Sequence, residues 1–149
     1  MREILFRGKR IDNGEWVYGY VSETTVSGAN GSRIATVIYK KPKKEFDGDW
    51  WEVKPYTVGQ YTGLKDIFGV KIFEGDIIYK PVEKITPYYA IKSERYKIIF
   101  RNGSFSYANL RGDRYWSIDD SEVGIDTESY TIIANIYDNP ELIKESEQT

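Results

Sequence analysis

Three groups of residues in this chain could carry chemistry. The first is the basic stretch Lys40-Lys41-Pro42-Lys43-Lys44, with Tyr39, Phe46, Trp50 and Trp51 around it. Ammonium groups for phosphates and flat rings for bases are what a single-stranded nucleic-acid site needs. Asp47, Asp49 and Glu52 follow closely, however, and a solvated lysine loop is the simpler use of the same residues. The second group is acidic: Asp113, Asp119, Asp120, Glu122, Asp126 and Glu128. Hard cations take several oxygens at short range, but the spacing lacks the glycine and terminal glutamate of an EF-hand loop. A charge run of this kind ordinarily keeps a surface hydrated. The third is Asp49 ahead of Glu52-Val53-Lys54, a loose version of the carboxylate and lysine set of a metal-dependent hydrolase. Its separation is very short, and such a pattern arises easily by chance.

What is missing from the sequence limits the chemistry further. It has no histidine and no cysteine, and its one methionine is Met1. A Ser-His-Asp triad, a cysteine nucleophile, a Cys/His zinc site and a disulfide framework are therefore all excluded. No catalytic residue, cofactor or resident metal is expected, and the chain is read as acting by binding. Its 149 residues suffice for a buried core without covalent staples. The formal charge is only −2, with the first half slightly basic and the second half slightly acidic, so no strong field favours nucleic acid overall. No apolar run approaches the roughly 18 residues of a membrane span. The start, Met1-Arg2-Glu3-Ile4-Leu5-Phe6-Arg7, meets a charge too soon for a signal-peptide core. A cytoplasmic protein without a membrane partner is the expectation.

The elements that must position these groups are strands. Aromatics reach 15%, led by Tyr 13, and the dominant period is two. Ile4–Arg10 and Glu15–Ser22 flank Asp12-Asn13-Gly14 as a first hairpin, with Trp16, Tyr18 and Tyr20 on one face. Core packing is the ordinary use of such a face, and a ligand groove the other. Gly19 inside that strand predicts a bulge or a close backbone approach. Residues 23–33 are small and polar and read as a loop, and Ile34–Tyr39 as a strand buried on both faces. Trp50–Pro55 reads as a short strand. Gly75-Asp76 between two apolar runs predicts a turn in which glycine takes φ > 0 and the aspartate accepts backbone N–H groups. Asn102-Gly103 marks the second hairpin, and Tyr115–Ile118 a short strand. Tyr130–Tyr137 reads as a long central strand. Beyond it, Asp138 or Asn139 caps a helical turn with Pro140 in first position.

Four segments make the chain recognisable: Arg2–Arg10 running into Gly14–Gly19, Val58–Asp66, Ile72–Ile78 and Asn135–Leu142. In that order they resemble the YopX-like family of phage and prophage proteins, across nearly the whole chain. Two departures stand out. Asp66-Ile67-Phe68-Gly69 replaces a polar Lys-Asn-Gly turn, and Ala134 replaces a glycine. The first departure predicts an apolar surface patch at Ile67 and Phe68. The resemblance implies a mainly β fold with an SH3-like barrel or roll, and it implies no activity, since small barrels host many functions.

The expectation is thus a mainly β chain: one domain over 1–143, built on an SH3-like β-barrel or roll with β-hairpins and a short C-terminal helical turn, and a frayed tail over 144–149. Its expected role is that of a phage or prophage accessory protein, a non-enzymatic binding module for a host or phage protein, with a homo-oligomer open. The alternative is a single-stranded or non-specific nucleic-acid module using loop 39–51, with Lys40, Lys41, Lys43, Lys44, Trp50 and Trp51 as contacts. A metal-dependent hydrolase is the third reading.

Overall fold

Alternating side chains pleat into strands wherever a turn lets the chain reverse, and the computed structural model places most reversals at Gly, Asn or Asp. It describes residues 3–40, 49–80, 94–118 and 130–148. Among them lie eleven strands: β1 (Phe6–Lys9), β2 (Trp16–Gly28), β3 (Gly31–Tyr39), β4 (Trp50–Glu52), β5 (Gly59–Lys65), β6 (Lys71–Phe73), β7 (Asp76–Lys80), β8 (Glu94–Arg101), β9 (Ser104–Asn109), β10 (Tyr115–Ser117) and β11 (Thr131–Asn135). One helix, α1 (Pro140–Glu147), follows. The fold is mainly β, and its two sheets are antiparallel. The chain divides into two compact units, 1–61 and 62–149, with the boundary inside β5.

In the first unit the strand order is β4-β3-β2-β1-β5. The expected first hairpin is present. Gly14 N donates to the carbonyl of Arg10, Asn13 Oδ1 accepts from the Glu15 amide, and Lys9 pairs with Trp16. The segment 23–33 is not the loop its small residues suggested. β2 runs on to Gly28 and β3 starts at Gly31, leaving Ala29-Asn30 as the turn of a long ribbon. Thr24, Thr25 and Val26 are β-branched and satisfy a ladder as well as any apolar run. β3 is buried on both faces only at its far end, where Val37 and Ile38 are fully covered, while Ile34 is 72% exposed.

The second unit holds the five-stranded order β10-β9-β8-β7-β11, and the second half of β5 pairs with β6. Its core is aromatic at the centre: Ile72, Ile78, Tyr96, Ile98, Tyr107 and Tyr130 are buried together. Tyr96 meets Tyr107 edge-on at 5.1 Å, and Trp116 stacks on Tyr107 at 5.4 Å. Both predicted turns hold. Gly75 has φ +90°, and the Asp76 carboxylate accepts from the Phe73 amide at 2.8 Å. Asn102 and Gly103 both take positive φ between paired Arg101 and Ser104. The final strand is not central as expected. β11 pairs with β7 on one side only, carries a bulge between Ile132 and Ala134, and is the edge of its sheet. Asn139 stands at the helix N-cap without a side-chain cap bond, and the Asn135 amide shapes that corner by accepting from Tyr137 N and Asp138 N. Residues 144–147, expected as part of a frayed tail, are the second half of α1. Arg111 Nε donates to the carbonyl of Ser146 there. Among the described residues neither sheet closes on itself.

Gly19 shows why the first sheet holds its register. A Cβ there would sit 2.0 Å from the Tyr39 carbonyl oxygen, so β2 and β3 approach only because that position has no side chain. Gly28, in the same strand, faces open space. Gly19→Ala is expected to cost about 3 kcal/mol in denaturant unfolding, whereas Gly28→Ala leaves stability unchanged or raises it by up to about 1 kcal/mol.

Candidate functional site

The basic loop singled out by sequence lies partly outside the described residues, which exclude Lys41, Lys43 and Lys44. Lys40 is exposed, and its amide donates to the carbonyl of Asp49 at 3.2 Å, closing the β3–β4 connection at its base. The two tryptophans part company. Trp50 pairs with Tyr39 and is 45% exposed, while Trp51 pairs with Ile38, whose side chain is fully buried. Adjacent strand residues must point to opposite faces, so one tryptophan is available to a ligand on the Tyr39 face and the other belongs to the opposite side. Of the contacts read from sequence, Lys40, Lys41, Lys43, Lys44, Trp50 and Trp51, the described ones are Lys40, Trp50 and Trp51, and the two tryptophans lie on opposite faces of β4.

In the aromatic row of β2, two of the three rings depart from the expectation. Trp16, Tyr18 and Tyr20 were expected chiefly as core, but Tyr18 is 49% and Tyr20 40% exposed. Tyr20 stands opposite Tyr39, Tyr18 opposite Arg7, and Trp16 opposite Lys9. The Arg7 guanidinium lies 4.5 Å and the Lys9 ammonium 5.8 Å from the centre of the Trp16 ring, both within cation–π range. The period of two was readable in the sequence. Which of the two faces meets a core was not.

The loose carboxylate–lysine arrangement is occupied by structure. Both oxygens of Glu52 accept from Arg33, Nη2 to Oε2 at 2.9 Å, in a two-pronged contact across the first sheet. Of the acidic group, Asp113 accepts from Asn109 Nδ2 at 2.6 Å, while Asn109 Oδ1 accepts from Gly112 N and Arg114 N. That amide holds the Asp113 carboxyl below its usual range. Asp119, Asp120, Glu122, Asp126 and Glu128 lie outside the described residues. Among the described residues no group of three or more acidic side chains could hold a metal, and no helix is long and apolar enough to cross a membrane.

A second surface belongs to the other unit, and sequence reasoning marked only part of it. The turn between β5 and β6 carries Ile67, Phe68 and Val70 at 56, 77 and 53% exposure. Phe68 is the most exposed large apolar side chain among the described residues. The turn is braced from below. Asp66 is buried, and its Oδ1 accepts from Phe68 N and from Val70 N, each at 2.9 Å. Its Oδ2 accepts from Ile132 N of β11 at 3.2 Å. Asp66 N donates to Val70 O, Gly69 N to Asp66 O, and Ile67 N to Tyr130 O. Side-chain capping by aspartate is common in turns. A carboxylate that also reaches a strand 66 residues away cannot be read from a local pattern.

The Arg33 guanidinium holds the Glu52 carboxyl below the usual glutamate value of 4.5. A carboxyl depressed in the folded state stabilises above its unfolded pKa, and that contribution is lost as pH falls through the folded value. The stability difference between wild type and Arg33→Ala is therefore expected to be small but constant near neutrality and to shrink as pH falls below 4.5 and Glu52 becomes protonated. Thermal unfolding at pH 7 and pH 3 checks this.

The family described as YopX protein matches residues 5–144. No curated protein matches the sequence. Among solved structures, the crystal structure of protein EF1440 from Enterococcus faecalis is similar with a TM-score of 0.54 and 23% identity, covering 96% of this chain and 99% of that one. At that identity the likeness concerns fold alone.

Proposed function

The chain belongs to the YopX family, and we propose that it is a non-enzymatic binding module whose partner is a protein. The observation that supports this is the braced Phe68 turn. A buried carboxylate holds the turn with one oxygen and ties it to β11 with the other, while Ile67, Phe68 and Val70 of that turn stand more than half exposed. Rigid presentation lowers the ordering cost of association, and a single aromatic knob entering a partner's pocket is the usual form of a binding hot spot. Lys65 and Lys71 flank the turn in sequence and suit a pocket with an acidic rim. The residue types argue against catalysis in the same direction: no histidine or cysteine exists, and Glu52, the best placed carboxylate of the hydrolase reading, is taken up by Arg33.

The SH3-like roll belongs to this proposal as well. The order β10-β9-β8-β7-β11 is a four-strand meander with the last strand returned beside the first, which supports a small roll in the second unit. A phage or prophage accessory role in the cytoplasm is the setting in which we place it.

Affinity capture from nuclease-treated cell lysate tests the reading. A co-purifying protein is expected with wild type and with the control Ile34→Ser. Phe68→Ser should lose it, with affinity falling about 30-fold or more. Equal capture by Phe68→Ser, or robust turnover of a small substrate abolished at one residue, would contradict the proposal.

A further inference from the structure

Three Asn-Gly pairs occur in the chain: Asn13-Gly14, Asn30-Gly31 and Asn102-Gly103. An asparagine before glycine is prone to spontaneous deamidation, because glycine has no side chain to shield its amide nitrogen or to restrict the backbone. All three asparagines are exposed, and no atom lies within 4 Å of where a Cβ would stand on any of the three glycines. Water access and crowding therefore do not separate the pairs. Hydrogen bonding does.

At the first pair both reacting groups are held. Asn13 Oδ1 accepts from Glu15 N at 3.0 Å, and Gly14 N donates to Arg10 O at 3.1 Å. At the second pair only the glycine is held. Lys40 N donates to Asp49 O and Val53 N to Thr36 O, so the even-numbered residues of β3 bond toward β4. Alternation then turns Gly31 back to its partner Gly28 in β2, where its amide closes the ladder. At the third pair Arg101 and Ser104 close the ladder, and Asn102 and Gly103 form the loop with φ +50° and +80°. Among the described residues neither the Asn102 side chain nor the Gly103 amide makes a hydrogen bond.

We infer that Asn102 is a site of spontaneous modification, the one of the three that the fold leaves reactive. The Gly103 nitrogen gives up its proton to base and bonds to Cγ of Asn102. The Cγ–Nδ2 bond breaks, Nδ2 leaves as ammonia, and a five-membered succinimide remains. Water then opens the ring. Attack at Cγ yields aspartate, while attack at the main-chain carbonyl yields isoaspartate, with the chain rerouted through Cγ. Water is the only co-reactant, and nothing is oxidised or reduced. Either product places a carboxylate beside Arg101. Isoaspartate also adds a backbone carbon to a two-residue loop flanked by the Phe100–Phe105 ring pair at 5.1 Å. A tight loop with positive φ at both positions has no room for that carbon, so the reaction loosens the β8–β9 hairpin. The site does not depend on the Phe68 turn.

Incubation of the folded protein in mildly alkaline buffer, followed by proteolysis and mass spectrometry of the three Asn-Gly peptides, tests this. Asn102 is expected to be consumed about fivefold faster than Asn30 and about twentyfold faster than Asn13, where one and two hydrogen bonds must open. Labelling by an isoaspartate methyltransferase should fall on the Asn102 peptide. In denaturant the three pairs lose their folded contacts, and their rates should converge. Asn102 reacting no faster than either of the others in the folded protein, or the same ranking kept in denaturant, would overturn the inference.

Discussion

A buried carboxylate costs several kcal/mol unless its oxygens are matched by donors, and Asp66 meets that demand entirely with backbone. Three amides, Phe68, Val70 and Ile132, donate to its two oxygens. Two of them belong to the turn that follows and the third to β11, so one side chain fixes the turn and ties it to a distant strand. The same contacts explain why β11, apolar enough to look central, can serve as an edge. Its outer backbone meets Asp66 and Ile67 through Ile132 N and Tyr130 O, which covers hydrogen-bonding groups that an edge would otherwise leave open.

The exposed turn follows from that constraint. A hairpin tip held only by its own backbone would sample many conformations, and an exposed phenylalanine there would be a liability. Braced by Asp66, the tip becomes a fixed apolar projection. In the first unit the governing constraint is steric. β2 and β3 come together through Gly19, where no Cβ can fit, and the resulting register aligns Tyr20, Tyr39 and Trp50 on one face while Ile38 and Trp51 share the other. The exposed turn and the aromatic row are therefore both by-products of contacts that hold strands in place.

Turn chemistry was legible in the sequence because it is local. Gly75-Asp76 and Asn102-Gly103 do what glycine, aspartate and asparagine do wherever φ must be positive or an amide needs an acceptor. The close approach at Gly19 could be anticipated for the same reason, and so could the exposure of Ile67 and Phe68 once the turn was recognised. The ribbon 23–33 was misread because threonine, serine and glycine are common to loops and to solvent-facing strands. Faces were harder still. Alternation shows that Trp16, Tyr18 and Tyr20 share a side, but only the long-range pairing decides whether that side is covered. The edge position of β11 depended on Asp66, 66 residues away, and no window of sequence contains both.

Native-state hydrogen exchange at the amides of Phe68, Val70 and Ile132 tests this account most directly. If Asp66 clamps the turn to β11, all three are protected in the wild type and lose protection together in Asp66→Asn. The amide side chain keeps one acceptor oxygen and turns a donor toward at least one N–H. Free exchange of Phe68 and Val70 in the wild type, or protection unchanged by Asp66→Asn, would contradict it.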